Sequence, residues 1–278
     1  QQFLAEQAAR HGIWLVGGTI PLVASVPDKI RASCLVLNDK GEQVARSDKI
    51  HLFDVDLVDT DDQYTESETL EPDDRIVVFD SPVGRSGLSV CYDLRFPELY
   101  RQQLDAGMEV LVVPAAFTAI TGRAHWEVLV RARAIENLCY VVAADQGGYH
   151  LNGRETHGHS MIVDPWGIVL NSLARGPGVV SATIDLGRLE SARRNFPTIQ
   201  HRRLRSVQVD IVDVHADAGL EPGHGILLTH AADEGGERGV GAAGNFQRHV
   251  RRALSHGNDV LGAQALQLVA GKCRDRQG

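Results

Sequence analysis

The sequence predicts an α/β fold in which a mixed β-sheet carries helices on its outer face. Short apolar runs, typical of buried strands, recur between residues 13 and 185. Helical segments separate several of these runs, whereas the tight turn at residues 165–167 joins two of them directly. Helical crossovers produce parallel strands and short hairpins produce antiparallel ones, so the combination predicts a mixed sheet. With 278 residues, 43% of them hydrophobic, the chain can bury the core of one sizeable domain.

Turn residues and apolar spacing predict where the elements begin and end. A helix over residues 96–106 has Pro97 in its first turn and Gly107 directly after its end. Apolar residues three and four apart predict a second long helix over residues 123–137. The full predicted order is helix 2–11, strands 13–20, 32–38, 43–47, 75–80 and 86–91, helix 96–106, strand 109–114, helix 123–137, strands 139–145, 159–164, 168–173 and 178–185, and helix 186–194.

Cys91 is the first candidate for a catalytic side chain, because it ends an apolar strand and stands just before a helix. In α/β sheets the carboxyl ends of strands are the usual place for ligands, and a helix start favours a thiolate and a nearby oxyanion. The alternative is a small buried hydrophobe, which the apolar neighbours favour for Cys34 and Cys139. Charged residues follow Cys91 at once, so we interpret it as a nucleophile.

Lys49 is the second candidate. Lysine occurs only four times among the 28 basic residues of the sequence, and Lys49 stands directly before an apolar turn. A compact ammonium group can stabilise a developing negative charge, and burial can change its pKa. A solvated lysine between strands is the alternative.

Glu127 is the third candidate and lies on the helix predicted over residues 123–137. Apolar residues at helical spacing surround it, and Arg131 follows four residues later. The alternative is therefore a surface ion pair between Glu127 and Arg131, of the modest strength usual for such pairs.

Three motifs in this order resemble those of the nitrilase superfamily of carbon–nitrogen hydrolases. They are Lys-x-His-Leu-Phe from Lys49, Cys-Tyr-Asp-x-Arg-Phe-Pro-Glu from Cys91, and His-Trp-Glu-x-Leu-x-x-Ala-Arg-Ala-Ile-Glu from His125. Residues 143–146, 158–167 and 200–203 extend the resemblance, which covers approximately residues 1–203. It is strongest to the Nit branch, whose members include deaminated glutathione amidase and ω-amidase. The Gln-His-Arg-Arg motif at residues 200–203 and the stretch 118–122 favour the former type.

The resemblance implies a four-layer αββα sandwich, with two mixed sheets facing each other and helices outside. It also implies a Glu-Lys-Cys triad with a supporting second glutamate. By motif, Cys91 is the nucleophile, Lys49 stabilises the tetrahedral oxyanion, and Glu127 is the supporting glutamate.

The residues next to this triad are expected to contact the substrate or to support the site. Tyr92 is expected to give its backbone N–H to the oxyanion, and Phe117 and His125 are expected to line the substrate pocket. Asp93 and Arg95 are expected to brace the turn through an ion pair.

Both ends of the sequence depart from the family pattern. The family's general base is a glutamate that precedes the first helix, and this sequence begins inside that helix. We therefore expect a hydrolase domain over residues 1–203 whose first strands and general base are missing, as in a fragment of a longer product. Residues 204–278 form an atypical tail, rich in Gly, Ala, Glu and His, and are expected to be disordered or weakly helical.

Composition excludes several classes of partner. A net charge of −8 argues against a nucleic-acid surface, and no apolar run reaches the length of about 20 residues that spans a bilayer. The four cysteines lack paired spacing, which suits the cytoplasm. The histidine spacing in the tail matches no metal site, and we expect neither a metal nor a cofactor. The resemblance implies a homodimer.

The function expected from these observations is hydrolysis of the amide C–N bond of a small carboxylic acid through a cysteine thioester. A deaminated glutathione amidase fits the motifs, and an ω-amidase, a carbamoyl-amine hydrolase and a nitrilase of the same superfamily are alternatives. A different class remains open, because without its base the chain could be an inert fragment or pseudoenzyme that acts as a binding partner.

Overall fold

The computed structural model describes residues 1–56, 63–151 and 153–204, and the backbone of three strands beyond them. The helices are α1 (Gln2–His11), α2 (Glu66–Thr69), α3 (Pro97–Asp105), α4 (Ala119–Asn137) and α5 (Leu186–Asn195), with a 3₁₀ helix at Cys91–Arg95. The strands are β1 (Trp14–Val23), β2 (Ile30–Leu37), β3 (Gln43–Asp48), β4 (Asp54–Asp56), β5 (Gln63–Thr65), β6 (Ile76–Ser81), β7 (Gly84–Leu88), β8 (Val110–Ala115), β9 (Tyr140–Asp145), β10 (Gly147–Tyr149), β11 (Glu155–His157), β12 (Ser160–Val163), β13 (Val169–Leu173), β14 (Gly178–Thr183), β15 (Ile211–Val214), β16 (His224–His230) and β17 (Gln267–Lys272).

The strands form two large sheets and two small hairpins. The first sheet has the order β14-β16-β17-β1-β2-β3, and the second has the order β13-β12-β9-β8-β7-β6-β15. In the second sheet β7, β8 and β9 are parallel, whereas β12 and β13 are antiparallel to their neighbours. The described pairings of the first sheet are all antiparallel, so the prediction of two mixed sheets holds for one of them. Short connections such as those between β1, β2 and β3 reverse the chain, which makes adjacent strands antiparallel.

The second sheet is apolar on both faces, and this defines the layers. Along β8, Val110 and Val112 belong to a core shared with Val16 and Val36 of the first sheet. Leu111 and Val113 pack instead against α3 and α4. Alternate residues of a strand point to opposite faces, so β8 contributes to both cores.

Helix α1 covers the outer face of the first sheet. Its Leu4 and Ala8 are buried against Leu15 and Leu35 of β1 and β2. From one outer surface to the other, the layers are therefore α1, the first sheet, the second sheet, and α3 with α4. This is the αββα sandwich implied by the resemblance, and the prediction is confirmed.

Helix α4 begins four residues earlier than its apolar spacing predicts. The hydroxyl of Thr118 accepts a hydrogen bond from the backbone N–H of Thr121 at 3.2 Å and caps the helix start. At the other end, Leu138 adopts a left-handed conformation with φ of 41° and ends the helix after Asn137. The cap places the first turn of α4 directly after residues 115–117, which belong to the site described below.

The tail contributes three strands, which corrects the prediction that it is disordered or weakly helical throughout. The backbone of β15 pairs in parallel with β6, and β16 and β17 insert between β14 and β1. Each segment contains an apolar run, such as Ile226-Leu227-Leu228, short enough for a strand. Three of the tail histidines considered above, at positions 215, 249 and 256, lie outside the described residues. Within the described part of the chain, no helix is both long and apolar enough to cross a membrane.

Candidate active site

The candidate site lies at the carboxyl ends of the three parallel strands β7, β8 and β9. Leu88 at the end of β7 pairs with Val112, and Ala115 at the end of β8 pairs with Asp145 at the end of β9. Parallel strands point their carboxyl ends to the same edge of a sheet, where ligands usually bind. Cys91 follows β7 by three residues, so the structure places its thiol where the sequence predicts it.

Cys91 has an unusual backbone conformation. Its φ is +50°, a left-handed value that a residue other than glycine rarely adopts. The buried carboxylate of Asp93 holds this turn, because one oxygen accepts the backbone N–H of Val90 at 2.8 Å. The other oxygen accepts the backbone N–H of His51 at 2.9 Å. Asp93 thus joins the turn at Cys91 to the segment that carries Lys49.

Lys49 reaches the site from the other sheet, directly after β3. Its backbone N–H donates to Ala32 O at 2.9 Å, and its C=O accepts from the N–H of Asp73 at 3.0 Å. Its side chain is 4% exposed and its ammonium group pairs with the carboxylate of Glu66. The alternative of a solvated lysine is excluded by this burial.

Glu66 is an acidic partner that the sequence analysis missed. It is the first residue of α2, and the oxygen that contacts Lys49 also accepts the backbone N–H of Phe53 at 2.8 Å. Two contacts therefore hold one carboxylate oxygen in place. The surrounding segment is short and polar, so apolar periodicity carried no signal for it.

The structure does not bring Glu127 to Lys49, and the supporting role predicted for it needs correction. The Glu127 side chain is 59% exposed, and its carboxylate lies 3.5 Å from the guanidinium of Arg131. The preceding residue, Trp126, is the one that α4 turns into the core. Successive helical residues differ by about 100° in direction, so Glu127 faces outward. The surface ion pair considered as the alternative is what the structure shows.

The environment of Cys91 differs from that of the other described cysteines. Burial raises the pKa of Cys34 and Cys139 to about 12. Burial also raises the pKa of Cys91, but there the Lys49 ammonium and the backbone N–H of Ala116 act in the opposite direction. Nearby Asp145 and Glu66 add to the increase in the pKa of Cys91. Cys91 is also partly exposed, whereas Cys34 and Cys139 are buried.

The three residues predicted to contact substrate share one neighbour, Arg95. Its guanidinium carbon lies 5.7 Å from the ring centre of Tyr92 and 5.3 Å from that of Phe117. One of its nitrogens lies 3.1 Å from Nδ1 of His125. Arg95 thus does not form the predicted ion pair with Asp93, because its side chain turns toward this aromatic group. Burial lowers the pKa of Arg95, as expected for a cation held away from bulk water.

Chemically, this arrangement suits an enzyme that uses a thiol as nucleophile. It joins a partly exposed cysteine, a buried lysine held by a carboxylate, and a backbone N–H that lowers the pKa of the thiol. Such groups stabilise a thiolate and the oxyanion that forms when the thiolate attacks a carbonyl carbon.

Comparisons with known proteins agree with this chemistry. The model of the carbon–nitrogen hydrolase family matches residues 1–194. A deaminated glutathione amidase from Yersinia enterocolitica is 45% identical over 207 residues, which cover 74% of this chain and 72% of that protein. The chain therefore belongs to the carbon–nitrogen hydrolase family, whose activity is hydrolysis of a C–N bond such as that of an amide.

Solved structures show the same fold. Saccharomyces cerevisiae Nit3, a member of branch 10 of the nitrilase superfamily, superimposes with a TM-score of 0.65 at 34% identity and covers 73% of this chain and 71% of its own. The Caenorhabditis elegans NitFhit protein superimposes with a TM-score of 0.68 at 28% identity and covers 97% of this chain and 77% of its own. These similarities support the Nit branch within the nitrilase superfamily.

Proposed function

We propose that the chain hydrolyses an amide C–N bond of a small carboxylic acid through a thioester on Cys91, with deaminated glutathione as the first candidate substrate. The observation that carries the proposal is the ion pair of the buried Lys49 with the partly exposed Glu66, close to the thiol of Cys91. A lysine ammonium held in this way stabilises negative charge on both the thiolate and the oxyanion.

The proposed reaction has two halves. The sulfur of Cys91 attacks the carbonyl carbon while a general base takes the thiol proton, and the oxyanion is stabilised by Lys49 and the backbone N–H of Tyr92. The C–N bond then breaks, the nitrogen takes that proton and leaves as an amine, or as ammonia from a primary amide, and a thioester remains. Water attacks the thioester, which releases the acid and restores the thiol. The sequence has no residue matched to the family's general base, so the proposal assigns Cys91, Lys49 and Glu66 alone.

Arg95 supports a substrate that is itself an anion. Among the described residues no carboxylate forms an ion pair with Arg95, although burial lowers its pKa. A buried cation is stabilised by an anionic partner. We propose that the carboxylate of the substrate is this partner, in a pocket bordered by Tyr92, Phe117 and His125.

The substrate can be identified by comparing C–N bond hydrolysis in several compounds, measured as the amine released from deaminated glutathione and as the ammonia released from the others. Deaminated glutathione is expected to give a kcat/KM at least about 10-fold above those of α-ketoglutaramate, an N-carbamoyl amine and a simple nitrile. A preference for α-ketoglutaramate would make the protein an ω-amidase, and a preference for the carbamoyl amine or the nitrile would assign it to those alternatives.

A p-nitrophenyl ester of the acid that forms the acyl part of deaminated glutathione serves as the control, because its leaving group needs no proton. If the ester acylates Cys91 but none of the amides nor the nitrile is hydrolysed, hydrolysis is rejected as the function. The alternative of an inert chain that acts as a binding partner is then favoured.

We further propose a cytoplasmic homodimer that binds neither nucleic acid nor membrane. Cys34, Cys91 and Cys139 are free thiols, which suits a reducing compartment. The net charge of −8 disfavours nucleic acid as a partner. The dimer rests on the family resemblance.

Glu66 and Glu127 can be distinguished by matched substitutions. Glu66→Gln is expected to lower kcat about 100-fold, because a mispositioned lysine costs roughly that much in rate. Glu127→Gln is expected to leave kcat within about 2-fold, since the exposed pair with Arg131 contributes little. The measurement is the rate of amide hydrolysis at saturating substrate. A loss of kcat in Glu127→Gln with full activity in Glu66→Gln would contradict the reassignment.

A further inference from the structure

The backbone that follows β8 is held by three hydrogen bonds from two other parts of the fold. The C=O of Ala115 accepts the backbone N–H of Gln146 at 2.8 Å. The C=O of Ala116 accepts Nη2 of Arg154 at 2.8 Å, and the N–H of Phe117 donates to Oδ1 of Asp145 at 2.8 Å. The last two bonds grip opposite sides of a single peptide unit, the one that joins Ala116 to Phe117.

The group held in place in this way is the backbone N–H of Ala116, which lies close to the thiol of Cys91 and lowers its pKa. A peptide unit is planar, so bonds at its C=O and at the following N–H fix its orientation. The bond from Gln146 fixes the preceding peptide unit through its C=O. The N–H of Ala116 belongs to that preceding unit, so the three bonds together fix its orientation.

Asp145 is rigidly placed at the end of β9. It is fully buried, and its own backbone N–H donates to the hydroxyl of Ser160 at 3.1 Å. Burial raises the pKa of its carboxyl group well above the ordinary value, although Arg154 and the backbone N–H groups of Phe117 and Gly158 favour the ionised form. A neutral carboxyl group still accepts the Phe117 N–H, so this contact does not depend on charge.

Arg154 comes from the opposite direction, just before β11 in the β10–β11 hairpin. Its guanidinium carbon lies 5.5 Å from the ring centre of Tyr64, and Tyr64 belongs to β5, which leads into Glu66. The residue thus connects the hairpin, the segment that carries Glu66, and the strand end beside the nucleophile.

We propose that Asp145 and Arg154 are positioning residues that clamp the Ala116–Phe117 peptide and thereby direct the Ala116 N–H at the sulfur of Cys91. The inference rests on the proposed function, because it assigns the clamp to the thiol that attacks the substrate. Neither residue takes part in bond making or breaking. Their contribution is to stabilise the thiolate by helping to orient this backbone group.

The test measures the rate of Cys91 alkylation by iodoacetamide as a function of pH, followed by mass spectrometry of the peptide that contains Cys91. This readout needs no turnover, so it remains informative if the chain hydrolyses none of the amides tested. Asp145→Ala removes the acceptor for Phe117, Asp145→Asn keeps an acceptor oxygen without a titrating group, and Arg154→Met removes the donor to Ala116.

Below the pKa of the thiol, Asp145→Ala and Arg154→Met are each expected to slow alkylation about 10-fold, which corresponds to a pKa increase of about one unit. Asp145→Asn is expected to restore most of the rate lost in Asp145→Ala. In Arg154→Met the charged groups near the thiol, Lys49, Glu66, Arg95 and Asp145, are all retained, so the change in this variant reports on the Ala116 N–H.

A decrease in the thiol pKa of Cys91, instead of the expected increase, would overturn the proposal. If Asp145 acted on the sulfur as a negative charge, its removal in either variant would lower the thiol pKa and accelerate alkylation. An unchanged alkylation profile in Arg154→Met would also contradict the clamp, and this arm decides the question if Asp145→Ala does not fold.

Two matched controls separate positioning from general loss of stability. Asp164 is a buried carboxylate that accepts the backbone N–H of Trp166 and of Ile168 in the turn between β12 and β13. Arg175 pairs at 2.7 Å with Glu155, which lies in the same β10–β11 hairpin as Arg154. Asp164→Ala and Arg175→Met are expected to leave the alkylation profile of Cys91 unchanged, and a shift as large as that of Asp145→Ala would reduce the proposal to a nonspecific effect.

Discussion

Replacing Cys91 with serine is expected to lower kcat for amide hydrolysis by at least about 10⁴-fold, since loss of a nucleophile removes most of the acceleration provided by a catalytic group. A serine hydroxyl ionises far less readily than a thiol, and Lys49 can stabilise only a charge that forms. The side chain is partly exposed, so the folded state should tolerate the change. The rate of amide hydrolysis and the thermal unfolding midpoint measure the two effects separately.

Cys139→Ser is the matched control for this substitution. Cys139 is fully buried and its thiol donates to Arg133 O at 3.7 Å, a contact that a hydroxyl group can also make. This variant is expected to lose stability but to keep kcat within about 3-fold, because Cys139 takes no part in the proposed reaction. Equal losses of kcat in Cys91→Ser and Cys139→Ser would remove Cys91 from its assigned role.

Replacing Lys49 with methionine is the second large effect. It is expected to lower kcat by about 10²–10³-fold, the usual consequence of losing one group that stabilises an oxyanion. Because Glu66 keeps its contact with the N–H of Phe53 and is partly exposed, its carboxylate is not left isolated in the core. A loss of rate in this variant therefore reports on the ammonium group.

The same substitution has a predicted pH dependence. Lys49 lowers the pKa of Cys91 against the larger effect of burial, so removing it raises the thiol pKa further. The pH at which alkylation reaches half its maximal rate should move upward in Lys49→Met. Lys40→Met, which alters an exposed lysine, should show the wild-type profile. A profile that is unchanged or moves to lower pH in Lys49→Met would contradict the proximity of Lys49 to the sulfur.

The layers of the fold could be predicted because they depend on apolar patterns that extend over many residues. The strand that ends near Cys91 and the helix that begins at Pro97 carry strong signals, and the motifs at Lys49 and Cys91 indicated the chemistry. Both residues lie at ends of long regular elements. Sequence patterns locate such ends well, since an apolar run stops there and turn residues begin.

Glu66 and Arg154 could not be predicted in the same way. They lie in or beside the short elements β4, β5, α2, β10 and β11, none of which has an apolar face long enough to show a period. The contacts that place Glu66 are made to Lys49 and to the backbone of Phe53, and these form only when the two sheets meet. Their positions therefore depend on tertiary structure.

Glu127 is the opposite case, because the sequence suggested a role for it that the structure does not support. Its motif was informative about the family, but a sequence motif does not state which of its residues faces the site. The direction of each side chain along α4 follows from which residues are buried, and Trp126 and Val130 occupy the inward face. The outward position of Glu127 and its pairing with Arg131 follow from that packing.

The most direct test of the central claim is to look for a covalent acyl group on Cys91 during turnover. Protein mixed with deaminated glutathione and quenched in acid is digested with trypsin, which releases residues 86–95 as a peptide with Cys91 as its single cysteine. The account predicts the mass of the acyl group on this peptide, and its absence in Cys91→Ser. Hydrolysis of deaminated glutathione at full rate with no added mass on residues 86–95, or with the mass on Cys34 or Cys139, would contradict it.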